Sequence, residues 1–205
     1  MDTTTPRVWR GQTHDDRAQL RRTQLMRAGF ELLGTEGTSG VTMRAVCRHA
    51  GLSPRYFYES FSDTDELMLS VYDHCNAELL NAIAGATNPE SPVAAAVDAA
   101  AGYFEADPRR LRILLREPQS SNLLAAHRAD VLPGLLTELA GSAGVTDPPG
   151  SPTSRAMHAS ALSGALTALV LDWADGRLRA SRAELVAYAT TLVLAGLAGS
   201  GDSGR

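Results

Sequence analysis

Between Thr42 and Phe61 the chain reads TMRAVCRHAGLSPRYFYESF, and few segments of this length leave so little choice of local structure. Thr42 suits the N-cap of a helix whose inner face, Met43, Val46, Cys47 and Ala50, recurs at helical spacing. Gly51 suits a left-handed C′ position, and Leu52 then drops toward the core. Ser53 stands where a second cap belongs, followed by Pro54 at the first helical position, where its missing N–H costs nothing. The second helix turns Phe57 and Phe61 inward, four residues apart. It leaves Arg55, Tyr56 and Tyr58 near its exposed beginning. Two short helices joined by a tight glycine turn, with donors gathered on one side, form a helix-turn-helix built to enter a DNA major groove.

The charge distribution agrees with a basic reading end. The net charge is −4, yet residues 1–60 carry nine arginines against six acidic residues and the remainder ten against seventeen. All nineteen basic residues are arginine, the side chain suited to bidentate contacts with guanine and phosphate. A 44% hydrophobic content over 205 residues supports a packed core. Two cysteines without C-x-x-C spacing form neither a zinc module nor a disulfide framework, which points to a reducing, cytoplasmic setting. His74 and Cys75 are adjacent, so on a helix they point about 100° apart and chelate poorly; no metal and no cofactor are expected. The first sixteen residues are polar and read as neither signal peptide nor anchor. The longest apolar stretches, Ala159–Leu171 and Val186–Ala198, are too short to span a bilayer.

Helical periodicity continues along the whole chain and no alternating strand pattern interrupts it, so the fold class is all-α. The first helix is expected over Arg17–Thr35, with Leu25, Ala28, Gly29, Leu32 and Leu33 as its inner stripe. A long helix opens at Asp63, with Glu66 completing a capping box, and reaches about Ala84. Pro92 opens a helix to Ala106, and Asp107-Pro108 opens another to Arg116. Pro118 separates that from a helix reaching about Gly141, which Pro133 kinks or splits. Gly141–Pro152 reads as a mobile loop. Two last helices, near Thr153–Asp175 and Ser181–Ala198, meet at a turn on Gly176. The implied domains are a flexible tail (1–16), a DNA-binding head (17–62), a helical body (63–199) and a short flexible tail (200–205).

The sequence resembles the TetR family of bacterial transcriptional regulators. The resemblance is carried by RRTQLMRAGFELLGTEG (Arg21–Gly37), VTMRAVCRHAGLS (Val41–Ser53), PRYFYESF and FSDTDEL (Phe61–Leu67). A weaker echo of the family's paired dimerisation helices runs from Ala161 to Val186. The resemblance implies DNA contacts from Thr42, Arg44, Ser53, Pro54, Arg55, Tyr56, Tyr58 and Thr64, with Thr42 and Tyr58 on phosphates and Arg44, Arg55 and Tyr56 reaching base edges or backbone. Where the family pattern F-x-x-K-E-x-L has lysine this chain has Thr64, which replaces an ammonium with a hydroxyl and implies a shallower salt dependence. Arg7 and Arg10, in the leader, either reach a minor groove or keep the leader solvated.

Ser160, Gly164 and Ala168 recur every four residues, a spacing that lets two helices approach closely in a symmetric homodimer. Candidate lining residues of a ligand chamber are Tyr72, Asn76, Leu79, Tyr103, Phe104, Leu114, Gln119, Asn122, Leu123, Asp172 and Trp173. The expected function is a homodimeric regulator on a palindromic operator in double-stranded DNA, released by an apolar or amphipathic small molecule. Occupancy alone blocks a promoter, so a repressor is expected. The alternatives are a helix-turn-helix regulator controlled by a protein partner, and a helical enzyme. For the enzyme one can collect Cys75, His127 and Asp130, or Ser120 with His158, but no nucleophile elbow, phosphate loop or H-E-x-x-H accompanies them. No catalytic residue is assigned.

Overall fold

The computed structural model describes residues 14–131 and 151–198, and among these every regular element is helical. Helix α1 (His14–Thr35) begins three residues earlier than its hydrophobic stripe requires, with Asp15 and Asp16 in its first turn, where carboxylates favour the positive end of the helix dipole. A 3₁₀ turn (Thr38–Gly40) leads to α2 (Met43–Ala50) and α3 (Pro54–Ser60). The Ala45 N–H donates to Thr42 Oγ1 at 3.2 Å, and Gly51 closes α2 at φ 67°, a left-handed conformation that a Cβ disfavours. Ser53 departs from expectation. It occupies the N-cap of α3 with extended backbone, but only its carbonyl serves the helix, accepting from Tyr56 N at 3.0 Å and Phe57 N at 3.3 Å, and its hydroxyl makes no capping bond.

Helix α4 (Thr64–Ala84) is capped reciprocally, as the sequence implies. Glu66 N donates to Asp63 Oδ1 at 2.8 Å, and the Glu66 carboxylate accepts from Ser62 N at 2.7 Å, one residue upstream of the usual return bond. Then follow α5 (Pro92–Ala106) and α6 (Pro108–Leu111). The helix expected to run from Asp107-Pro108 to Arg116 keeps α-helical hydrogen bonding for one turn only. It widens into a π turn over Arg112–Arg116 and tightens to 3₁₀ over Glu117–Gln119, with Pro118 inside that last turn. Helix α7 covers residues 122–131; α8 (Pro152–Ala174) and α9 (Arg182–Ala198) follow, joined at Gly176. The expected leader up to residue 13, the expected break at Pro133, the expected loop from Gly141 to Gly150 and the tail from residue 199 lie outside the described residues. Ser151 caps α8, accepting from Ser154 N at 3.1 Å.

One apolar core runs through the molecule. In the head, Leu25, Ala28 and Leu33 of α1 meet Val46 and Cys47 of α2 and Phe57 of α3, with Phe61 beside them. Helix α4 carries that core onward through Leu67, Val71, Cys75, Leu79 and Ile83 to α5 and the π turn. Arg22 fastens α3 to α1 from outside. Its guanidinium lies 4.1 Å from the Phe61 ring centroid and donates to the Ser60 carbonyl. Both cysteines are free and buried, and burial pushes the Cys75 thiol up to about 12. Phe57 is wholly buried where α1, α2 and α3 meet. Phe57→Ala should therefore cost about 3–5 kcal/mol, read as a lowered urea midpoint in circular dichroism. A loss under about 1 kcal/mol would mean that the helix-turn-helix is held by its caps instead of its core.

Candidate nucleic-acid interface and internal chamber

On α2, α3 and their caps, Thr42, Arg44, Ser53, Pro54, Arg55, Tyr56 and Tyr58 are each exposed, with Thr64 half-buried at the start of α4. Tyr58 is 60% exposed and stands edge-on to Phe57, ring centroids 5.5 Å apart. Tyr56 lies beneath the Arg21 guanidinium, 4.4 Å from the ring centroid. Arg21 also pairs with Glu59 at 3.5 Å, and Glu59 pairs with Arg55 at 2.9 Å. Arg55 therefore shares the Glu59 carboxylate with Arg21. Arg21 and Glu59 belong to the surface by contact, though sequence spacing gave no reason to single them out. Thr42 has two uses at once: its oxygen accepts the capping bond while its O–H proton stays available to a phosphate.

A cavity of about 190 Å³ opens inside the body, between α4, α5, α7, α8 and α9. Tyr72, Asn76, Leu79, Phe104, Leu114 and Trp173 line it, as read from the sequence. The other candidates lie elsewhere. The Tyr103 phenol turns back to α4, donating to the Cys75 carbonyl at 2.8 Å and to Glu78 at 3.2 Å. Gln119 donates to Leu115 O within its own turn, and Asn122 is exposed. Leu123 packs on the core from outside the cavity, and Asp172 is held by Arg177 at 2.7 Å. The wall is otherwise apolar, with Ile83, Val97, Ala100, Leu166, Val170 and Val193 among its members, and three polar residues that sequence reasoning missed: Arg128, Ser163 and Thr167. Their signal was faint because the arginine and the two hydroxyls come from helices far apart in sequence. Burial pushes the Tyr72 phenol up to about 12, so it remains a neutral donor at physiological pH.

The residues collected for an enzyme do not converge. Cys75 is buried, the His127 ring nitrogen meets Asp73 at 2.5 Å, and His158 bonds within its own helix to Ser154. His74 points outward beside Glu78 at 3.5 Å.

Head and body are fastened by a polar latch at the end of α1. Arg112 donates to the Thr35 carbonyl at 2.5 Å and to Glu117 at 2.9 Å, while Glu117 also accepts from Thr38 N at 3.0 Å. Gly37, at φ 80°, makes room: a Cβ there would stand 2.7 Å from Glu117 Oε1. Arg109 adds ion pairs with Glu31 and, at 2.7 Å, with Asp107, and the guanidinium holds the Asp107 carboxyl below its ordinary range. Leu114 and Leu115, in the π turn between the two ends of this latch, are chamber wall.

Ser160, Gly164 and Ala168 are exposed on α8, and Met157 (68% exposed) continues their row; Tyr188 and Leu194 are exposed on α9. No helix among the described residues is long and apolar enough to cross a membrane.

Residues 25–71 match the sequence model of bacterial regulatory proteins of the tetR family. Over the whole chain the fold is similar to that of a TetR-like transcriptional regulator from Rhodococcus sp. RHA1 (20% identity, 96% of this chain and 100% of that one, TM-score 0.62). It is also similar to a second TetR regulator from that organism (17% identity, 90% and 98%, TM-score 0.64). The fatty acid degradation regulator FadR from Bacillus halodurans shares it too (16% identity, 90% and 97%, TM-score 0.59). Over residues 25–71, which hold the helix-turn-helix, the chain is thus similar to the tetR family, and its overall fold is the one these regulators share.

Glu117 is buried and answers two donors from different elements. Glu117→Gln keeps the shape but removes the charge, and should destabilise the protein by about 1–3 kcal/mol, lowering the calorimetric melting temperature. An unchanged melting temperature would show that the latch contributes nothing to holding head and body together.

Proposed function

We propose that this protein is a homodimeric, sequence-specific repressor that an apolar or amphipathic small molecule releases from a palindromic operator. Its reading head comprises residues 17–62 and its sensing and dimerising body residues 63–199. The observation that carries this reading is that α4 begins beside the reading helix at Asp63 and passes the chamber at Tyr72, Asn76 and Leu79. A ligand acting on that helix, or on the π turn and its latch, changes the spacing of two heads in a dimer. Half-sites are tied to the DNA helical repeat, so shifts of a few ångströms break simultaneous docking. A largely apolar cavity set between five helices favours a small molecule over a protein partner, which would need a broad exposed groove.

In this reading Thr42 and Tyr58 hold phosphates, Arg44, Arg55 and Tyr56 reach base edges or backbone, and Ser53, Pro54 and Thr64 approach the DNA beside them. Arg44→Ala should lose about 1–3 kcal/mol on the cognate operator and relax discrimination, whereas Thr42→Ala should weaken all duplexes alike and Thr42→Ser should restore binding. Fluorescence anisotropy with operator and random duplexes reads both; equal loss for Arg44→Ala on the two removes it from base readout.

For assembly, Gly164 offers a clean test, because nothing lies within 4 Å of the position its Cβ would take. Gly164→Arg is therefore tolerated within one chain and obstructs only a second. Sedimentation should give monomers, with operator binding lost. A dimer of normal affinity would move the interface away from α8.

A further inference from the structure

The chamber has a charged corner that an apolar ligand leaves unanswered. Arg128, on α7, donates from Nη2 to both Ser163 Oγ and Thr167 Oγ1 of α8, each at 2.7 Å. The two hydroxyl residues are each 8% exposed, and all three groups line the cavity. Because both oxygens accept from the guanidinium, both hydroxyl protons are left to donate, and neither returns to the carbonyl one turn back, as Thr190 does to Val186. Among the described residues Arg128 meets no carboxylate within ion-pair distance, and its Nε and Nη1 find no acceptor. Tyr72 adds a phenol that donates to nothing among the described residues. Among the described residues, a half-buried cation with several donors and no anion, in a mainly apolar wall, is an incomplete site: a charge drawn partly out of water is most stable when paired and hydrogen-bonded.

We infer that the effector is an amphipathic carboxylate, its carboxylate held by Arg128 with the Ser163 and Thr167 hydroxyls and its hydrocarbon part lying along Leu79, Phe104 and Val170. This rests on the reading of the chamber as the effector site, and names the ligand class that the site selects. With both Nη2 protons on Ser163 and Thr167, the Nε–H and Nη1–H groups remain to donate to a carboxylate, and the flanking hydroxyls supply donors to its other lone pairs. Size guides the length: about 190 Å³ is somewhat more than the ~150 Å³ void that holds benzene, which corresponds to a hydrocarbon part of roughly seven to eight carbons.

The test is titration calorimetry on the full chain at pH 7.5 with octanoate, octan-1-ol and octylamine, which share a tail and differ in head charge. Octanoate should bind at least about tenfold more tightly than octan-1-ol, and octylamine more weakly than either. Arg128→Gln should abolish the octanoate preference while the affinity for octan-1-ol stays within about twofold. Should that variant fail to fold, Ser163→Ala combined with Thr167→Val decides, with an expected loss of about fivefold for octanoate alone. Equal binding of octanoate and octan-1-ol by the unaltered protein overturns the carboxylate assignment and leaves the chamber as an apolar effector site. No binding of any of the three overturns both. A preference for octanoate that survives both variants overturns the placement at Arg128.

Discussion

Helix α4 can carry one core from head to body because α1 presents Gly29 where the two helices cross. A Cβ at that position would stand 3.1 Å from Leu67 Cγ and from Val71 Cγ2, tighter than ordinary contact, so the missing methyl sets how closely α4 lies on α1. From that approach the rest follows. Leu67 and Val71 complete the head's core around Phe57 and Phe61, and the same helix, from Tyr72 onward, presents Tyr72, Asn76 and Leu79 to the chamber. Close-packed interiors are bistable before they are deformable, so a helix seated this tightly moves as a body.

The polar latch works by a different physics. Apolar contacts between α1 and α4 are short in range but indifferent to direction, whereas Arg112, Glu117 and Thr38 fix direction, each bond being useful in one geometry only. Glu117 reaches both Arg112 on its own side and a backbone amide of the head, so rotation of the π turn cannot keep both. That turn is held open by its wide hydrogen-bond pattern and carries Leu114 and Leu115 on the chamber side. An insertion of this kind stores a choice of register within a few residues of the latch. Head and body are thus coupled through packing along α4 and through oriented charge at the end of α1, two routes that respond to different displacements.

How much of this was legible in the sequence follows from the range of the signals. The helix-turn-helix was legible because caps, the Gly51 turn and the Phe57–Phe61 spacing are all local, and each fixes backbone independently of the rest of the chain. The α4 cap and the α8–α9 turn were legible for the same reason. The Ser53 hydroxyl was misread because its backbone already satisfied the first turn of α3, so the residue type named the position without naming the bond. Chamber residues on α4 could be read from helical spacing. Tyr103 could not, since it points to α4 and not into the cavity, and whether an aromatic faces a neighbour's backbone or a void depends on a crossing angle that periodicity does not carry. The π turn left no trace at all: RILLR has the spacing of an ordinary helix.

Helix α8 shows why the charged corner escaped notice. At about 100° per residue, Ser160, Gly164 and Ala168 form a slowly turning row, and Ser163 and Thr167 lie on its shoulder, so a reading that looks for one face of small residues absorbs the hydroxyls into it. Burial separates the two sets, the first exposed and the second 8% exposed each. What makes Ser163 and Thr167 more than packing is a side chain from another helix, Arg128, which both accept. A serine or threonine buried alone is satisfied by the carbonyl a turn earlier and carries no message. Buried together under a guanidinium, the pair has its acceptor capacity engaged and its protons free, and the polarity of the whole group is set toward an anion. In a regulator this matters energetically, because a ligand shifts an equilibrium only by its differential affinity for the two states. A hundredfold change in operator affinity requires about 2.7 kcal/mol of coupling, and one charge-assisted pair formed in one state and strained in the other is of that order.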